Sequence, residues 1–180
     1  MGILVQTSIL PSSSLLNNDD WNYCDSFETT MADANNIIST KDIGKAFFNS
    51  APKWTEHLFI VRNKIVSILG LKTSGNVKNR QHLLDNFKCE PGERLGLFKI
   101  FEVTETELIM GENDRHLDFR VSLHHNFNPQ SGHKTIHIST TVKFHNWFGK
   151  LYFLPVKPFH TLIVPAMLKG IVKQLEKDCK

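Results

Sequence analysis

Cysteine is scarce. Cys24, Cys89 and Cys179 are odd in number and far apart, and no C-x-x-C pair occurs. That argues against disulfides and structural zinc, and for a reduced, cytoplasmic setting. Charge of one sign is also missing: 21 Lys and Arg against 18 Asp and Glu leave a net +3 without a dense basic face, so no nucleic-acid partner is expected. No uninterrupted apolar run approaches the ~20 residues that cross a bilayer. The stretch MGILVQTSILPSSSLL lacks a basic start and is cut by Pro11, so neither a membrane span nor a signal peptide is expected. There is no G-x-G-x-x-G after a strand and no G-x-S-x-G elbow, which removes a Rossmann half and an α/β-hydrolase triad. Nine histidines include no H-E-x-x-H, and His124 and His125 are strand neighbours pointing to opposite faces. No metal is expected, and no cofactor. Nothing in the cysteine placement supplies a base beside a thiol, so no catalytic residue is assigned.

What remains is an ordinary globular composition, 41% apolar and 22% charged, with thirteen Phe against two Tyr. A chain of 180 residues is long enough to bury a core as a single domain, with 1–21 as an extended lead-in and 22–180 as the core. The Phe bias fits greasy packing or an apolar cavity. The oligomeric state is left open.

Hydrophobic period gives the element order. The lead-in contains a short helix around Ser12–Asn17, where Ser and Asn suit caps and turns. A strand follows in WNYCDSFETTM, with Tyr23, Asp25, Phe27 and Thr29 on one face and Cys24, Ser26 and Glu28 on the other. Ser39 to Asp42 reads as a capping box before Ile43, Ala46 and Phe47. A second helix follows Pro52, through Trp54, Leu58, Val61, Ile65 and Ile68, and stops at Gly70. Residues 71–96 are basic and turn-rich and read as a solvated loop or an anion site. The period then becomes two. Strands run over Leu97–Val103, Glu107–Glu112, Arg115–Phe127 and His133–His145. Leu117, Phe119, Val121 and Leu123 face inward, as do Ile136, Ile138, Thr140, Val142 and Phe144. Short turns such as 128–132 make these an antiparallel meander. Trp147–Lys177 returns to helical period, with Pro155, Pro158 and Pro165 inside it to kink or break it. Its wide stripe, Trp147, Leu151, Pro155, Pro158, Leu162, Pro165, Leu168, Val172 and Leu175, is expected to lie against the sheet. The fold class is therefore α+β, an antiparallel β-sheet wrapped around a long kinked C-terminal helix.

That order resembles the helix-grip fold of the START-like (SRPBCC) superfamily. More narrowly, Asp114 to Ser122 (DRHLDFRVS), His145-Asn146 with Gly149, Lys157 to His160 with Ile163-Val164, Tyr23, Asp25 and Phe27, and Ala51-Pro52 with Trp54 are similar to a mostly bacterial family of uncharacterised domains. The resemblance spans nearly the whole chain. It implies an apolar ligand cavity between sheet and helix, and in some relatives a preceding NAD-binding Rossmann domain, whose chemistry is not carried over here. Five clear strands are legible, fewer than helix-grip proteins usually have, so residues 81–90 or the lead-in would supply the rest.

The candidate ligand-binding residues are His116, Asp118, Arg120, His145, Tyr152, Phe159 and His160. His116, Asp118 and Arg120 share one strand face, where an Asp can accept from both neighbours. Two readings fit: a polar pocket end or acid–base pair, and a solvated outer ladder. Alternation puts this row on the face away from the helix. His145-Asn146 sits where the last strand meets the last helix, and Asn146 suits an N-cap. His160 lies in an otherwise apolar helix, beside a carbonyl freed by proline, and either bonds locally or projects into a cavity. The expected function is binding of a small apolar or amphipathic molecule between sheet and helix. The alternatives are a cyclase- or dehydratase-type enzyme on a hydrophobic substrate, with His160, Asp118 or His116 as acid or base, and a non-catalytic partner-binding scaffold marked by an exposed apolar patch.

Overall fold

The computed structural model describes residues 2–18, 20–50 and 87–178. The helix expected after Pro52 and the loop of residues 71–86 lie outside the described residues.

Among the described residues the elements are β1 (Gln6–Ser8), a 3-10 turn (Leu15–Asn18), β2 (Tyr23–Ala32), α1 (Thr40–Asn49), β3 (Arg94–Leu95), β4 (Phe98–Val103), β5 (Glu107–Asn113), β6 (Leu117–Asn128), β7 (His133–Phe144) and α2 (Trp147–Asp178). The strands form one seven-stranded open sheet in the order β1-β2-β7-β6-β5-β4-β3, antiparallel at every pair. With α2 on one face, this is an α+β fold consistent with a helix grip. The two strands not read from the sequence are β1, from the lead-in, and the two-residue β3.

Register sets the faces. Tyr23, Asp25 and Phe27 pair with Val142, Thr140 and Ile138. Phe119, Val121 and Leu123 pair with the same three residues from the other side. The expected inward residues therefore line up as cross-strand rows beneath α2, and Leu123, Ile136 and Ile138 are almost wholly buried. α1 begins with the expected capping box: Ser39 Oγ accepts from Asp42 N–H, and the Asp42 carboxylate accepts from Ser39 N–H. Its Ile43, Phe47 and Phe48 join the core with Val164, Leu168, Ile171, Val172 and Leu175 of α2.

The prolines do not split α2, which stays one helix through Pro155, Pro158 and Pro165. The expected facing of its stripe needs correction. Leu168, Val172 and Leu175 are buried, but Trp147, Leu151, Pro155, Pro158 and Leu162 point to solvent. In that half the buried positions are Gly149 and Phe153 instead. Two apolar rows run along the N-terminal half, and a strand sheet on one side can bury only one of them. By length and composition α2 could cross a membrane, a property that a count of uninterrupted apolar runs does not register, because lysines punctuate it.

Candidate functional site

The seam between the sheet and the N-terminal half of α2 collects polar groups in apolar surroundings. Asp25 on β2 and Thr140 on β7 are register partners, and both face the helix. His160, one residue past the Pro158-Phe159 step, reaches down to them. Its Nδ1 lies 2.9 Å from Asp25 Oδ2 and its Nε2 3.1 Å from Thr140 Oγ1. Because an ionised carboxylate only accepts, Nδ1–H donates, and in the neutral ring Nε2 accepts from the Thr140 hydroxyl. Tyr23 donates its hydroxyl to the same Asp25 oxygen at 2.8 Å. Burial, then the Asp25 carboxylate, pushes the Tyr23 phenol above its ordinary range, which keeps it a donor. The other oxygen, Asp25 Oδ1, is buried without a hydrogen-bond partner among the described residues, and such an atom is costly to leave unpaired. Around these groups stand apolar walls. The Tyr23 ring meets Phe153 edge-on at 4.8 Å, Lys157 Nζ lies 5.4 Å from the centre of the Tyr23 ring, and Val142, Phe153, Phe144 and Val156 pack together.

The other expected residues gather at the start of α2. His145 Nε2 is 3.0 Å from Asp118 Oδ1. His116 pairs with Asn146, and its ring lies tilted against Phe148 with centres 4.7 Å apart. Asn146 Oδ1 accepts from Gly149 N–H at 3.1 Å, the cap expected of it. Asp118 and Arg120 are on the face opposite Leu117 and Phe119, away from α2. Arg120 lies 3.9 Å from the Phe101 ring centre and donates to Asn113 Oδ1. The structure thus brings His160 into the seam, places Tyr152 and the half-exposed Phe159 on the same stretch of helix, and sets Asp118 and Arg120 outside it.

Two further buried polar groups were not read from the sequence. On the outer face, pairing aligns Gln6, Glu28, His137, His124 and Glu107 in one row across five strands. The lead-in covers this row. Ser13 Oγ is 2.9 Å from His124 Nε2, and Glu107 accepts from Ser14 Oγ, from the N–H of Leu15 and from Ser122 Oγ. Burial lowers the pKa of both His124 and His137, so these rings are neutral at pH 7. The available signal was alternation, which puts them opposite Leu123 and Ile138, but a polar outer face reads as solvated until the segment covering it is known.

The other group lies under the C-terminal half of α2. Lys134 has no exposed surface; it pairs with Asp33 at 2.7 Å and donates to the carbonyl of Ile38. Burial raises the Asp33 pKa, but Lys134 and the N–H groups of Ile37 and Ile38 outweigh it and hold the carboxyl below its usual value. Beside this pair an open pocket of about 350 Å³ is lined by Met31, Ala34, Ile37, Ile38 and Glu176. Cys89, buried, has its thiol pushed up to about 12 by burial, so it is a packing group and not a nucleophile. Among the described residues no cluster of three or more His, Cys, Asp or Glu is placed to hold a metal.

Residues 18–167 match the model of a family described as "Protein of unknown function (DUF2867)". No curated protein and no solved structure matches the chain.

Proposed function

We propose a function for a chain that belongs to the DUF2867 family, as the match over residues 18–167 shows: it binds one small amphipathic molecule in the seam between the sheet and α2. The observation that carries this is Asp25 Oδ1, a buried acceptor without a partner among the described residues, set among Tyr23, Thr140 and His160 and walled by Phe153 and Val156. A ligand with an apolar body and one hydroxyl or amine would satisfy that oxygen. Its body would lie along the rings, with Tyr152 and Phe159 at the rim and His116 toward the helix start, while His145 stays with Asp118 outside the seam. The resemblance to the START-like superfamily, whose members often hold an apolar ligand between sheet and helix, points the same way.

An acid–base role is the alternative. His160 is oriented by Asp25 as a general base would be, and a cyclase or dehydratase on a hydrophobic substrate would use it. With Asp118 and Arg120 on the outer face, that reading rests on His160. The free, exposed Cys24 suits a reducing, cytoplasmic setting. The resemblance to mostly bacterial domains, some following a Rossmann domain, keeps a partner-binding scaffold as the third reading.

Native mass spectrometry of freshly purified protein, followed by denaturing extraction, shows whether a small molecule is retained. In parallel, fluorescence titration with 1-aminoanthracene, an apolar body with one amine, tests the chemistry directly. Saturable binding weakened about tenfold by Asp25→Leu, the loss of one well-placed polar contact, supports the reading. An empty protein that shows no saturable binding overturns it.

A further inference from the structure

We infer that the solvent-facing side of α2 docks the protein onto an anionic lipid surface. The helix has one face committed to the sheet through Phe153, His160 and Val164, and the opposite face is apolar and bare. There Trp147 is 73% exposed, Leu154 66%, Leu162 64% and Leu151 50%, with Pro155 and Pro158 exposed between them. From Trp147 to Leu162 the row extends about 22 Å at ~1.5 Å per residue. A continuous apolar strip of this length is unusual on a free monomer surface. The hydroxyl on this face, Thr161, is already satisfied by donating to the Pro158 carbonyl at 2.9 Å.

Charge selects the partner. Between Trp147 and Leu175 the helix carries Lys150, Lys157, Lys169 and Lys173 and no Asp or Glu; the first acid is Glu176. At ~100° per residue, Lys150 and Lys157 flank the apolar strip on one side. Two copies meeting along this strip would bring like charges together without an acid on the strip to pair them. A bilayer rich in phosphatidylserine offers apolar depth for the leucines, an interface for Trp147 and anionic headgroups for the lysines.

The geometry also favours lying on the membrane over crossing it. Pro155 and Pro158 have no N–H to give the carbonyls of Leu151 and Leu154, and those oxygens need the water of the headgroup region. Crossing would also strip His160 from Asp25.

The test is flotation of the full chain with vesicles of phosphatidylcholine, with and without phosphatidylserine. The expected result is flotation on phosphatidylserine vesicles, weaker without that lipid and weakened by salt. It is lost in a Leu154→Glu/Leu162→Glu variant and reduced about tenfold by Lys150→Glu. These side chains point to solvent, so circular dichroism melts of the variants match the parent; if the Glu pair melts early, Leu154→Gln/Leu162→Gln takes its place. Failure to float on phosphatidylserine vesicles overturns the inference. So does a dimer in analytical ultracentrifugation that Leu154→Glu dissociates, which would make the face a contact between copies.

Discussion

Lys134 is a lysine with no exposed surface, and Asp33 makes that tolerable. Their 2.7 Å contact, the Ile38 carbonyl and the two loop N–H groups on Asp33 satisfy charges that would otherwise be prohibitive to bury. Removing one partner strands the other. Lys134→Met is expected to cost about 3–5 kcal/mol in urea unfolding, and the Lys134→Met/Asp33→Leu pair to recover much of it. A loss below ~1 kcal/mol for the single change would show that water reaches the pair. The Asp118–His145 pair is the contrast. Its side chains are 22% and 37% exposed, so Asp118→Asn is expected to change stability by less than ~1 kcal/mol. Both residues are charged groups on strand-patterned stretches, or beside them, and nothing local tells them apart. Burial by α2 and the 33–38 loop makes the difference.

At the scale of the element, α2 depends on one tight approach. Its first turn presses on the start of β6, and a Cβ on Gly149 would stand 2.2 Å from the His116 carbonyl oxygen. Backbone cannot yield as a flexible side chain can. Gly149→Ala is expected to destabilise by about 1–3 kcal/mol or more, against the small gain that Ala usually brings to a helix; an unchanged or raised Tm would show that the helix start can shift. The strands were the most legible elements, because a period of two names both faces at once: the inward rows of β6 and β7 are those read from alternation. The helix was legible in extent but not in facing. Apolar residues surround its N-terminal half, and a pattern with two apolar rows does not say which row meets the sheet.

For the whole molecule, neutral buried histidines set a pH dependence. Burial, then the nearby positive charge of Lys134, lowers His125 to about 4, and burial lowers His124 and His137 as well. The unfolded chain titrates near the ordinary value of ~6.5. Between that value and the folded ones the unfolded state binds more protons, so stability falls as pH drops through this window. Asp33, held low in the fold, adds a loss only at more acid pH, below its ordinary value. Thermal melts at neutral pH and at successively lower pH should show Tm dropping by several degrees before the carboxylates titrate. A His125→Gln variant should show a shallower slope. A flat Tm through this range would mean that these rings are open to water.

The sequence by itself determined the order of β2, α1, β4 to β7 and α2, the inward residues of the sheet, the capping box at Ser39 and the cap at Asn146. Each is a local matter of period or of a side chain reaching its own backbone. Only the tertiary structure decided which polar groups are buried together. Asp25 meets His160 across 135 positions, and Ser13 meets His124 across 111. Strand pairing, the lay of the helix and the path of the lead-in bring them together, and none of these is written in the spacing of neighbouring residues.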